Sequence, residues 1–200
     1  MIRARAIGVG LMLLGGCLGS SPPSRFYTLT TLPAAASAAA APTRTIRVAP
    51  VTLPESLDRP QLVRRTGATT VSVDEFDRWV QPLDTLLRNS LALDLGALLP
   101  DAQVLGDAAP GLAVDQSVVV AVERLDVAQD VNLDAVWFVL AAGEDQPKAT
   151  RRARIVEPAG AGQSSDVAAA LSRAVERLSQ DIAAELKATP IQARAKDNPR

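Results

Sequence analysis

The chain of 200 residues contains no histidine. That removes Ser-His-Asp and Cys-His catalysis, the commonest zinc ligands and the usual switch near neutral pH. Cys17 is the single cysteine, so no disulfide can form within the chain. Aromatic residues are scarce, at 3%. No apolar run approaches the roughly 20 residues of a membrane-spanning helix. The run at 6–16 is eleven residues long, and the best later stretch, 131–143, contains Asp134. A basic excess is also missing. Lys and Arg number 21 against 22 Asp and Glu, which is no footprint for nucleic acid or for an anionic lipid surface.

What is present begins at the N-terminus. Arg3 and Arg5 precede the apolar run, which ends in Leu14-Gly15-Gly16-Cys17. A basic start, a short apolar stretch and small residues before a cut site are the parts of a secretory signal. The ending resembles the bacterial lipobox. That resemblance implies cleavage after Gly16, with Leu14, Gly15 and Gly16 as the cleavage signal, and lipid attachment at Cys17. Loss of Arg3 and Arg5 leaves 19 basic against 22 acidic residues. The expected organisation is a signal at 1–16, a short tether at 17–25, one domain at 26–188 and a disordered tail at 189–200.

Within the domain, 26–30 has strand composition. The alanine-rich stretch 33–42 is flanked by prolines and reads as a loose loop. A β-branched alternation predicts a strand over 46–53, with Pro50 marking an edge or a bulge. Leu62-Val63 and 69–73 read as a hairpin around Gly67-Ala68. Pro82 suits a first helical position. Leu83, Leu86, Leu87, Leu91, Leu95 and Leu98 then fall on one helical face, predicting a helix over 82–98 that ends at Pro100. Val104-Leu105 is a short strand and 107–115 a loop. Residues 117–128 carry valines on both faces, as a fully buried central strand does. Strands at 131–141 and 150–156 follow. Val167, Leu171, Val175, Leu178, Ile182 and Leu186 trace a second helix, with Ser164, Ser165 or Asp166 as its cap. The expected fold class is α/β: a single-domain sandwich with a mixed, largely antiparallel sheet and two long helices.

Two sequence blocks are more specific than this pattern. One is Val48-Ala49-Pro50-Val51-Thr52-Leu53-Pro54 leading into Leu57-Asp58-Arg59-Pro60-Gln61-Leu62-Val63. The other is Arg78-Trp79-Val80-Gln81-Pro82-Leu83, opening a helix that ends in Leu99-Pro100. With the lipobox and the early Phe26-Tyr27-Thr28-Leu29, they resemble the PqiC family of ABC-type transport auxiliary lipoproteins. The match is dense between 46 and 100 and rests mainly on element order beyond that. Two positions depart from the family pattern. Ser56 stands where an aromatic is common, and Gln81 stands where Glu is usual.

The resemblance implies a non-enzymatic lipoprotein of the Gram-negative envelope. Its expected partners are the outer-membrane bilayer and an MCE-domain tunnel protein, with a ring of copies of itself. Leu18, rather than aspartate, after the lipidated cysteine favours the outer membrane by analogy. Asp58, Arg59, Pro60, Gln61, Arg78 and Trp79 are the candidate interface. A structural reading stands beside it. Arg59, which precedes a proline, is held extended, Asp58 can accept turn N–H groups, and Trp79 is a core aromatic. No cofactor is expected apart from the lipid on Cys17. Asp126, Asp130 and Asp134 lack the Asp-x-Asp-x-Asp-Gly calcium pattern and read as a solvated turn, so no metal is expected. The stretch 160–164 lacks the P-loop Gly-Lys-Ser/Thr and reads as a loop with a helix cap. A carrier holding lipid in its own cavity is the alternative function. A carboxylate hydrolase has nothing beyond Asp and Glu to support it, and no catalytic residue is assigned.

Overall fold

The apolar stripe of the last helix organises the molecule. In the computed structural model, which describes residues 22–34, 41–106, 112–147, 149–160 and 162–188, helix α2 runs Ser164–Ala188. All six residues of its stripe are buried. Between them lie the buried small residues Ala168, Ala170, Ala174 and Ala183, which let neighbouring elements approach closely. Helix α1 spans Leu83–Leu98 and buries Leu83, Leu86, Leu87, Leu91 and Leu95. It packs on α2, and both helices lie on one side of a sheet. Pro82 is the N-cap rather than the expected first helical residue, so the helix starts one position later, and the Pro82 carbonyl accepts Leu86 N–H at 3.0 Å.

That sheet has five strands in the order β5-β2-β6-β7-β8. They are β2 (Arg44–Val48), β5 (Ala102–Leu105), β6 (Gln116–Val127), β7 (Asp130–Ala141) and β8 (Thr150–Pro158). β2 is parallel to both β5 and β6, while β6, β7 and β8 are antiparallel. Three more strands, β1 (Arg25–Tyr27), β3 (Gln61–Arg65) and β4 (Val71–Trp79), form a second sheet in the order β1-β4-β3. The fold class is α/β as the pattern implied, but the strands divide between two sheets. Among the described residues no helix is long and apolar enough to cross a membrane. Cys17, the cleavage signal, residues 35–40 and 107–111 and the tail lie outside the described residues.

Four expectations are corrected in detail. The strand predicted at 46–53 ends at Val48, and β2 is an interior strand rather than an edge. Pro50 does not interrupt a ladder because pairing with β6 skips it: Ala49 N–H reaches Val118 O at 2.8 Å and Thr52 N–H reaches Val120 O at 3.2 Å. β6 is not buried on both faces. Val118, Val120 and Val122 lie under the helices, whereas Val119 and Ala121 are half-buried on the other side. The strand predicted at 26–30 stops at Tyr27. Beyond it, Thr30 N–H donates to Ser172 Oγ (3.0 Å) and Leu32 N–H to Asp94 Oδ1 (2.8 Å), so side chains from α2 and α1 take the donors a ladder would need. Ser164 does not cap α2 with its hydroxyl. Instead the Gln163 carbonyl accepts Asp166 and Val167 N–H, each at 3.1 Å.

Candidate functional site

The small sheet holds the first described strand of the chain. β1 starts at Arg25 and pairs in parallel with the end of β4, placing Arg25 opposite Asp77, Phe26 opposite Arg78 and Tyr27 opposite Trp79. β3 pairs with the same strand from the other side, with Gln61 opposite Arg78. The two sequence blocks therefore meet. Gln61 and Arg78 are cross-strand neighbours, and Trp79 N–H donates to Pro60 O at 2.7 Å.

The register between β3 and β4 is not continuous. Val63 faces Val73, yet Gln61, two residues earlier, faces Arg78, five residues later. β4 thus carries extra residues that loop out of the ladder as a bulge. Asp74 Oδ1 pins the bulge by accepting Phe76 N–H at 3.2 Å and Asp77 N–H at 3.1 Å. Past it, β4 turns Asp77 and Trp79 inward, and both are buried.

Asp77 is the hub of a polar cluster. It accepts Arg25 Nε at 2.5 Å and Arg25 Nη2 at 2.8 Å, and it also accepts the Ser164 hydroxyl. Arg64 of β3 donates to the same hydroxyl. One carboxylate thus fastens β1, β3 and β4 to the first residue of α2. Burial by itself raises the pKa of Asp77, but the bonds from Arg25 and Ser164 outweigh it and hold the carboxyl below its usual range. The Asp77 bond in turn raises Arg25 above the ordinary guanidinium value.

The candidate residues divide by exposure. Asp58, Arg59 and Pro60 are exposed, Gln61 and Arg78 are half-buried, and Trp79 is buried in the core at 7% exposure. A turn of 3-10 helix, Glu55–Leu57, precedes them. It closes on carbonyls, with Asp58 N–H on Glu55 O (3.0 Å) and Arg59 N–H on Leu57 O (2.8 Å), so the Asp58 side chain is not the acceptor that the sequence implied. Arg78 Nε donates to Glu75 O at 3.1 Å.

The aspartate series also resolves into separate contacts. Asp126 takes both oxygens to Arg65 Nε at 2.8 Å, and Asp134 accepts Arg124 Nε at 3.0 Å. Among the described residues no group of three or more His, Cys, Asp or Glu is placed to hold a metal. Gly160 and Gly162 adopt φ of 63° and 77°, as a left-handed turn into a helix requires.

Sequence reasoning missed the polar anchors: Arg25, Arg64, Asp77, Ser164 and Asp94. For Asp77 a signal existed. It stands two residues before Trp79, so a strand reaching Trp79 puts both on one face. The predicted strand ended at 73, which hid that relation.

A depression of about 380 Å³ opens between β7, β8 and α2, lined by Trp137, Arg151, Arg152, Asp181, Ala184 and Glu185. Arg151 and Glu185 are ion-paired along it at 3.1 Å.

Solved structures share the fold. One, a crystal structure of an uncharacterized protein, is 21% identical with a TM-score of 0.69, covering 82% of this chain and 99% of that one. Another is a Xanthomonas campestris protein carrying the family designation DUF330. It is 16% identical with a TM-score of 0.65, covering 82% of this chain and 94% of its own. No curated protein matches the chain significantly. The model of the ABC-type transport auxiliary lipoprotein component matches residues 27–183, from the last residue of β1 to the C-terminal part of α2. The chain belongs to that family of membrane-anchored lipoproteins with an accessory role in transport.

Proposed function

We propose that the protein is a PqiC-like, non-enzymatic component of an MCE-type, ABC-linked intermembrane lipid transport system. Lipidated Cys17 holds it on the periplasmic face of the outer membrane. The folded domain, as a ring of copies, tethers the far end of the tunnel protein. The family match over 27–183 carries this reading. The geometry of the small sheet supports it. The strand directly behind the tether is locked to the body of the domain through Asp77, so load on the anchor passes into both β4 and α2. The exposed Asp58-Arg59-Pro60 ridge beside it is available to a protein partner. The 380 Å³ depression has four charged residues in its lining, which does not favour a carrier for acyl chains.

The test has two arms. Affinity capture with the lipidated chain as bait should recover an MCE-domain protein, and substituting Asp58 and Arg59 together should weaken that recovery. Membrane fractionation of Cys17→Ala should show a folded protein lost from the outer membrane. Unchanged outer-membrane association of Cys17→Ala sinks the anchor, and absence of any MCE-domain protein from the capture sinks the partner.

A further inference from the structure

We infer that the small sheet presents an apolar face that rests in the lipid headgroup region of the membrane carrying the anchor. Exposed large hydrophobic residues are few among the described residues, and they concentrate here. Phe26 (63% exposed), Phe76 (36%), Val71 (58%) and Val80 (54%) all belong to β1, to β4 or to the residue following β4. The chain has only three phenylalanines, and two of them are in this group. In an aromatic-poor protein, exposing two of three phenylalanines on one small sheet is unlike the scattered apolar surface of a soluble domain.

The sheet's register shows how the group is arranged. Phe26 faces Arg78 across the β1–β4 pair, and the other members of those pairs, Arg25 with Asp77 and Tyr27 with Trp79, point to the opposite side. Val80 follows at the next position on the Arg78 side, its N–H bonded to Tyr27 O at 2.8 Å. Phe76 stands in the bulge pinned by Asp74.

The occupant follows from chain length. Nine peptide steps separate Cys17 from Phe26. Fully extended, they reach about 30 Å, so a lipid on Cys17 keeps this sheet, before any other part of the fold, within reach of the bilayer surface. The inference therefore rests on the anchor reading above. Electrostatics does not supply the attraction. Of the nearby cations, Arg25 and Arg65 are ion-paired with Asp77 and Asp126, and Arg78, between Phe26 and Val80, is a single half-buried charge whose Nε is taken by Glu75 O, with the Glu75 side chain exposed beside Phe76. The contact is apolar and suits a zwitterionic surface.

The experiment uses the mature lipidated chain in phosphatidylcholine–phosphatidylethanolamine vesicles. With Cys17 carrying the lipid, a single new thiol at Phe26→Cys, Val80→Cys or the control Leu93→Cys on α1 takes a nitroxide label. Depth is read from the relative accessibility of the label to oxygen and to a water-soluble nickel complex. At positions 26 and 80 that ratio should exceed the value at 93 several-fold. It should not change in about 0.5 M NaCl, where screening is nearly complete beyond a few Å. All three positions are exposed, so folding is expected to survive, and circular dichroism checks it. A ratio at 26 and 80 equal to that at 93 overturns the inference. So does spin–spin broadening between copies at 26, which would assign the face to a second copy of the chain. Failure of the anchor reading looks different: intact mass without acyl groups, and labelling of Cys17 itself.

Discussion

Asp94 offers the sharpest test of how this fold is held. It is fully buried on α1 facing α2. Its carboxylate accepts Leu32 N–H at 2.8 Å and the Ser179 hydroxyl at 3.3 Å. Among the described residues no cation is ion-paired with it. Burial raises its pKa, the two hydrogen bonds oppose that, and Glu176 on α2 adds a smaller push upward. A carboxyl whose folded pKa lies above its unfolded value favours folding most when protonated. Its contribution is complete below the unfolded value, about 3.9, and declines as pH rises through the folded value. At neutral pH the ionised group therefore costs stability, about 1.4 kcal/mol for each unit of upward shift. Asp94→Asn keeps an acceptor for Leu32 N–H and removes the charge. Ser179 Oγ also lies 2.9 Å from Val175 O, so it can turn its one proton there and let its oxygen accept the new amide. The expected outcome is a gain of about 1 kcal/mol at pH 7, or a rise of roughly 2–4 °C in Tm for a domain of this size. The gain should shrink toward zero near pH 4. Urea unfolding of the Cys17→Ser chain at several pH values reads this directly. If Asp94→Asn loses stability at pH 7 and that loss shrinks toward pH 4, the charge is favourable where it is and the reasoning fails.

The remaining predictions use the same assay. Asp77→Asn should behave oppositely, because the folded pKa of Asp77 is depressed: a loss of about 1–2 kcal/mol at pH 7, discounted for the exposed Arg25 side chain, that fades as pH falls below the ordinary carboxylate range. An Asp77→Asn loss equal at pH 3 and pH 7 would count against the ion-pair account. Arg44 is buried and donates to Leu186 O at 3.1 Å near the end of α2, so Arg44→Met should cost about 1–2 kcal/mol, seen as faster amide exchange in the last turns of α2. Leu171→Ala, at a fully buried position of the α2 stripe, should cost about 2–5 kcal/mol, and a Tm within a degree of the parent would mean the site is not packed as described.

Local pattern determined much of this molecule. The leucines of α1 and the stripe of α2 named the buried faces almost residue by residue, because helical periodicity is written within a few turns of chain. β3, β6, β7 and β8 were legible from composition to within a few residues. The Leu57–Val63 and Arg78–Leu83 blocks pointed to the ABC-type transport auxiliary lipoproteins, the broader family that the match over 27–183 shows. Tertiary structure decided what no window of sequence holds. The separation of β1, β3 and β4 into their own sheet depends on a bulge and on parallel pairing between residues 52 positions apart, Arg25 and Asp77. The early end of β1 depends on Ser172 and Asp94, which lie 142 and 62 positions from the N–H groups they bind. The roles of Asp77 and Ser164 arise only once their partners, 87 positions apart, are brought together. A polar side chain carries no record of its partner in its own neighbourhood. An apolar face is chosen by its period along the chain, whereas a buried charge is tolerated only where the completed fold supplies the donors that satisfy it.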